Sequence, residues 1–273
     1  MKRAGQKRDE KGFSLIEMMI AAVIFILLCG AAFALLSLAQ QRYQTESQVL
    51  NSFQEARFGL DEIVRDVNGS GYPSQNSFSF SPSIPPANLY AITPVAWDPG
   101  YTNSPPIPCQ IGTAGGGTCT PTPGDFDLII ERDVDPWRHD GVEWTRYQLN
   151  NNILSRSQTY KVAGADPATT TQDSFVPYVQ NVMNNASAAQ ITQFQATYPQ
   201  MFPGGNPVPV FSYFCYTPYG NQPCLSAGSY NSPVNVTDVE VTLIVMAPTQ
   251  DAQTGAPRLI ELHGRGHSLN PIQ

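Results

Sequence analysis

Residues 18–39 carry no formal charge, and their apolar positions run almost without interruption. At 1.5 Å per residue, a helix over this run is roughly 33 Å long, enough to cross the hydrocarbon core of a bilayer. From Gln40 the pattern changes without a break. Tyr43, Leu50, Phe53, Ala56, Leu60, Ile63, Val64 and Val67 recur at three- and four-residue steps, the period of an amphipathic helix. Glu46, Gln54, Glu55, Arg57, Glu62 and Arg65 supply its polar faces. The two patterns together predict one continuous helix, apolar all round at first and one-sided afterwards, with the apolar stripe packed on the chain's own body. It stops at Asn68-Gly69-Ser70-Gly71-Tyr72-Pro73, a cluster of helix breakers.

Residues 72–124 are rich in Pro, Ser, Gly and Asn and show no sustained period. So long a loop is uncommon in a compact domain; it reads as an insertion tolerated at the surface, with a variable contact surface as its functional alternative. Strand patterns follow. They fall at 126–134, 142–149, 153–157, 175–182, 191–198, 208–217, 236–246 and 258–263, the strongest around Val239-Glu240-Val241-Thr242-Leu243-Ile244-Val245. Asn150-Asn151-Asn152 is a turn between the second and third of these, making a hairpin. The expected fold class is α+β: a long N-terminal helix, part transmembrane and part amphipathic, packed against a C-terminal antiparallel sheet that curls onto it. The expected parts are a basic leader (1–12), a transmembrane helix (13–39), an amphipathic stem (40–71), a Pro/Gly-rich region (72–124) and a β-rich body (125–273).

Composition adds little to the fold and more to the setting. Of 273 residues only 14% are charged, while Gly and Pro number 21 and 24, which suits a loop-rich β body. The net charge is −7, unevenly placed. Lys2, Arg3, Lys7, Arg8 and Lys11 outweigh Asp9 and Glu10 before the apolar run, so the body is more acidic than the whole. That argues against nucleic acid as a partner. The same bases, with only Arg42 and Arg57 close behind the span, leave the N-terminus in the cytoplasm by the positive-inside rule. Cys29 lies within the apolar run and is expected to be a free thiol. Cys109, Cys119, Cys215 and Cys224 lie beyond it, and four cysteines permit three connectivities. Short loops favour Cys109–Cys119 and Cys215–Cys224. Disulfides need an oxidising compartment, which places the body on the periplasmic or outer side.

Glu17 stands at the head of the apolar run, where an ionisable group is costly and needs a partner. A secretory signal peptide has a shorter apolar core than this one, and a plain anchor leaves Glu17 without a purpose. The segment Gly12-Phe13-Ser14-Leu15-Ile16-Glu17, with Met18-Met19-Ile20-Ala21 and a basic leader before it, resembles the type III signal of type IV prepilins and pseudopilins. The resemblance implies cleavage after Gly12 by prepilin peptidase and N-methylation of the new terminus at Phe13. A cationic amine at Phe13 would then be available to the Glu17 carboxylate of a neighbouring subunit. Because burying either charge alone costs several kcal/mol, the pair would set register during assembly.

A second likeness lies at the helix end. Arg65-Asp66-Val67-Asn68-Gly69-Ser70-Gly71-Tyr72 is similar to the corresponding stretch of PilW-type minor pilins, as is the hairpin ending in Leu154-Ser155-Arg156. J-type pseudopilins of type II secretion share the Arg-Asp pair. The PilW-type resemblance implies a structural subunit that helps initiate or cap pilus assembly and is no enzyme, with a J-type pseudopilin as the alternative. Its partners would be prepilin peptidase, major and minor pilins and an inner-membrane assembly platform. It would reside in the inner membrane with its body periplasmic, and later in a pilus or pseudopilus. A single-span periplasmic enzyme is the remoter alternative.

Little in the chain suggests catalysis. His263-Gly264-Arg265-Gly266-His267 has metal-like spacing, but its glycines oppose the helix that would align the two rings, and a third ligand is missing. Asp133-Val134-Asp135-Pro136-Trp137-Arg138-His139-Asp140-Gly141 lacks the terminal acid of a calcium loop and reads as a solvated turn. No Cys-x-x-Cys, nucleophile elbow or phosphate loop is present. No cofactor or metal is therefore expected.

Overall fold

The structure is a computed structural model that describes residues 14–74, 88–96, 111, 124–138, 141–250 and 255–268. The chain divides into two units, residues 1–48 and 49–273. Helix α1, Leu15–Asn68, begins in the first and ends in the second.

In the first unit, α1 opens at Ser14, whose carbonyl accepts the Met18 amide at 3.2 Å. Its large apolar side chains point outward, as at Phe25, Leu27 and Phe33. That is the surface of a helix meant for lipid or for other helices rather than for water.

The second unit holds the last part of α1 and two four-stranded antiparallel sheets. The first sheet is a meander of β1 (Asp127–Arg132), β2 (Glu143–Asn150), β3 (Ile153–Tyr160) and β4 (Val176–Gln180), paired in that order. Asn151 and Asn152 join β2 to β3 with φ of 47° and 64°, the left-handed pair that a two-residue hairpin turn needs and Asn tolerates. Between β3 and β4 lies a short helix α2, Pro167–Thr170, with Asp166 as its cap.

The second sheet contains β5 (Phe211–Thr217), β6 (Gly220–Pro223), β7 (Val236–Gln250) and β8 (Pro257–His267), in the order β6-β5-β7-β8. A main-chain bridge pairs Val182, just after β4, with Val245 of β7, and the Met183 amide bonds the Ile244 carbonyl at 2.7 Å. The two sheets thus share one seam. The principal core collects Ala56, Leu60, Ile63 and Val67 of α1 with Leu128, Ile130, Tyr147 and Leu154 of the first sheet and Val239, Val241, Leu243 and Val245 of the second.

Three glycines allow α1 to lie this close. A Cβ on Gly59 would stand 2.4 Å from Val179 Cγ2 of β4. One on Gly264 would stand 2.7 Å from Val64 Cγ2, and one on Gly266 2.6 Å from the Val67 side chain. On β8 the glycines occupy alternate positions, so they share the face turned toward the helix.

The α+β expectation is met, with corrections. The predicted strand at 191–198 is helix α3, Ala188–Gln195. Ser187 and Gln190 form a reciprocal capping box at its start, and Ile191 and Phe194 lie three apart on one face. They bury against Met183, Phe202, Ile244 and Leu259, a second core on the other side of β7. Two sheets stand where one curled sheet was expected, and β6 was unforeseen because Gly220-Asn221-Gln222-Pro223 has no apolar alternation. The apolar stripe of the stem starts later than the sequence suggested: Ala56, Leu60 and Ile63 are buried, but Tyr43 and Leu50 are exposed. Within the Pro/Gly-rich region, Tyr90, Ala91, Thr93, Val95, Ala96 and Ile111 are buried. That part is core rather than surface insertion, held where the Ala96 amide bonds the Ile129 carbonyl of β1 at 2.9 Å.

Candidate functional site

At the head of α1 the Ser14 amide donates to Glu17 Oε2 at 3.0 Å. Ser14 precedes the first helical residue, so Glu17 stands at the third position of the first turn. A carboxylate there satisfies an amide that the helix cannot, and it favours the positive end of the helix dipole. Glu17 is exposed, as are Leu15, Ile16, Met18 and Met19 around it. Gly12 and Phe13 lie outside the described residues. Among the described residues, α1 is the one helix long and apolar enough to cross a membrane, and Cys29 within it is a free thiol.

The other end of α1 is tied to the first sheet by a buried acid. Asp66 is fully buried. Arg132 of β1 reaches Asp66 Oδ1 at 2.6 Å, and Arg156 of β3 reaches Oδ2 at 3.3 Å. The Tyr147 hydroxyl of β2 donates to Oδ2 at 2.6 Å and accepts from Arg156 Nε at 3.1 Å. Three consecutive strands therefore converge on a single helical carboxylate. Burial, and then the Asp66 charge, push the Tyr147 hydroxyl far above the usual tyrosine range, so it stays a donor. For Arg156 burial acts downward, but Tyr147 and Asp66 outweigh it and the net shift is upward. Sequence reasoning had singled out Asp66 and Arg156 separately, 90 residues apart; the fold brings them together. Arg132 and Tyr147 had carried no signal beyond lying on strands.

A second buried pair supports the same sheet. Lys161 forms an ion pair with Glu131, and its ammonium also donates to the Tyr90 carbonyl at 3.0 Å. Glu131 accepts from the Ile92 amide at 2.9 Å, which anchors the 88–96 segment. Charges buried this deeply are tolerated because each is matched and hydrogen-bonded.

The remaining candidates separate by role. Cys215 and Cys224 form a disulfide across nine residues, and Cys215 lies in the principal core; Cys109 and Cys119 lie outside the described residues. His263 and His267 sit on β8 opposite Thr242 and Asp238 of β7. His263 faces Glu261 at 3.3 Å and His267 faces Asp238 at 3.2 Å, so they serve different carboxylates. Among the described residues no group of three or more His, Cys, Asp or Glu side chains converges as a metal site would require. Asp135 and Arg138 pair at 2.9 Å within the turn after β1; His139 and Asp140 of that turn lie outside the described residues.

A groove of about 410 Å³ runs along α1 in the second unit, lined by Asn51, Gln54, Glu55, Phe58, Gly59, Glu62 and Tyr178. Phe58 is 73% exposed there. The Tyr178 hydroxyl donates to Glu62 Oε2 at 2.6 Å, and burial followed by that carboxylate raises its pKa far above the ordinary value.

Residues 7–33 match the family described as the prokaryotic N-terminal methylation motif. No curated protein and no solved structure matches the chain. The motif supports a prepilin-type protein of the type IV pilin or pseudopilin kind, a structural subunit anchored by an apolar helix. It implies processing by prepilin peptidase and assembly with other pilins.

Proposed function

We propose that the chain is a minor pilin of the PilW type, made as an inner-membrane precursor with its body in the periplasm and cut between Gly12 and Phe13. Phe13 becomes the methylated terminus, and the exposed apolar part of α1 exchanges lipid for neighbouring helices when the subunit enters a filament. The protein then acts as an initiating or capping subunit and not as an enzyme. The single observation that carries this reading is the methylation motif at residues 7–33 standing at the head of an exposed apolar helix. The finer assignment draws support from the convergence of Asp66 and Arg156, since both belong to the stretches that resemble PilW-type proteins.

The Arg65-Asp66 pair equally suits a J-type pseudopilin of type II secretion. Neighbouring genes separate the two: further minor pilins with a retraction motor, or a secretin with secretion-system components. The prior question is the mature terminus. Intact-mass and N-terminal peptide measurements on protein from its host should find methylated Phe13 and no leader. A chain that keeps Met1 in the presence of active prepilin peptidase is a plain anchored protein, and the reading is then wrong.

A further inference from the structure

The groove along α1 has a definite chemical character. Asn51, Glu55, Phe58 and Glu62 follow one another at three- and four-residue steps, with Gln54 beside Glu55, so they form a single stripe on one helix face. The residues lining the groove carry two carboxylates, of which Glu62 also pairs with the exposed Arg65 at 3.7 Å. Glu55 and Glu62 stand two turns apart, roughly 10 Å along the axis, with the exposed Phe58 ring between them. Tyr178 of β4 forms the wall. It also holds Glu62 in place through its hydroxyl.

The site is built rather than incidental. Gly59 lies at the base of the groove, and its missing side chain is what admits Val179 of β4 against the helix. Strand β4 therefore fixes both the floor and the Tyr178 wall. Phe58 leaves a large aromatic ring in solvent beside two carboxylates, a surface open to a partner. Its complement is a side chain with a cationic tip and an apolar stem, which can lie over a ring and reach a carboxylate at the same time.

We infer that this groove receives an arginine or lysine from the N-terminal helix of an adjoining prepilin-type subunit. The inference rests on the assembly reading above, and it names the contact by which the stem recognises its neighbour. Glu55 supplies the attraction, Phe58 and Tyr178 the aromatic bed, and the Tyr178–Glu62 bond keeps the second carboxylate oriented. Such a contact selects among neighbouring helices by charge, since a like charge in the same place is repelled.

The test uses the full-length protein in the membranes and sheared filaments of its host, with a photo-crosslinking benzoylphenylalanine in place of Phe58. The cross-linked peptide, sequenced by mass spectrometry, should come from the N-terminal helix of a subunit bearing a methylation motif, within one turn of an Arg or Lys. Glu55→Lys should lower the yield by about tenfold or more, as a penalty above 1.4 kcal/mol requires. Reversing the partner's cation to Glu should restore it. Glu55 is exposed and outside the core, so this variant folds; an unchanged melting temperature checks that. No cross-link, attachment to lipid or to a protein without the motif, attachment away from a basic residue, or indifference to Glu55→Lys would each overturn the inference. The mass of the mature N-terminus is read in the same samples, so failure of the assembly reading is seen separately from failure of the groove contact.

Discussion

At the scale of single residues, Asp66 is the side chain with most to lose. Its carboxylate is the shared partner of Arg132, Arg156 and the Tyr147 hydroxyl. Removing one member of a buried ionic group leaves the others uncompensated, at a cost of about 3–5 kcal/mol. Asp66→Ala should therefore lose that much in denaturant unfolding of the detergent-solubilised protein, while Arg65→Ala, whose side chain is largely exposed, should change little. Asp238 gives a different test, because its effect depends on pH. Burial raises its pKa, but Thr237, His267 and Arg265 overcome this and hold it below the ordinary carboxylate value. The folded state thus binds the proton more weakly than the unfolded state. The contribution is complete above the unfolded value of about 4 and is lost as pH falls through the lower folded value. The stability gap between wild type and Asp238→Asn should be widest near neutral pH and close progressively below pH ~4; a gap that grows on acidification would refute the assignment.

At the scale of elements, the decisive contact is that of α1 with β8. Gly264 and Gly266 face the helix, while Arg265 between them turns away to meet Asp238 at 3.1 Å. Gly266→Val would drive a branched side chain into Val67 and the Val64 carbonyl, and overpacking of this kind costs about 1–3 kcal/mol. The measurable sign is a lowered unfolding midpoint together with earlier amide exchange in the last turns of α1. The same glycines show what the chain alone could disclose. Their spacing was legible as an argument against a helical metal site, but the helix they accommodate lies nearly 200 residues away and left no local trace. Most strands were legible because alternation survives when one face meets a core. Residues 191–198 are ambiguous because Ile191, Phe194 and Tyr198 fit both a strand rich in large residues and a helical face; the capping box of Ser187 and Gln190 is the local signal that decides for the helix. Asp66 was legible as a position but not as a hub, since its three partners come from three later strands.

At the scale of the whole molecule, the question is how one carboxylate serves both a folded helix and an assembled filament. Glu17 accepts the Ser14 amide within its own helix, and it is the acid proposed to meet the Phe13 amine of a neighbour. A carboxylate has two oxygens and more than two acceptor sites, so the tasks are compatible. They are also separable. Glu17→Gln keeps an acceptor for the Ser14 amide but has no charge; Glu17→Ala loses both. If capping alone mattered, the Gln variant would assemble like wild type and the Ala variant would lose only the few tenths to ~1 kcal/mol typical of a helix-end interaction. If charge pairing sets register, both variants lose assembly, because an unpaired amine in an apolar helix bundle costs several kcal/mol. Cleavage after Gly12 should remain intact in both. The expected result is therefore processed protein retained in the membrane fraction, with its amount in sheared filaments falling for Gln as far as for Ala. Normal incorporation of Glu17→Gln would show that the acid does no more than begin the helix.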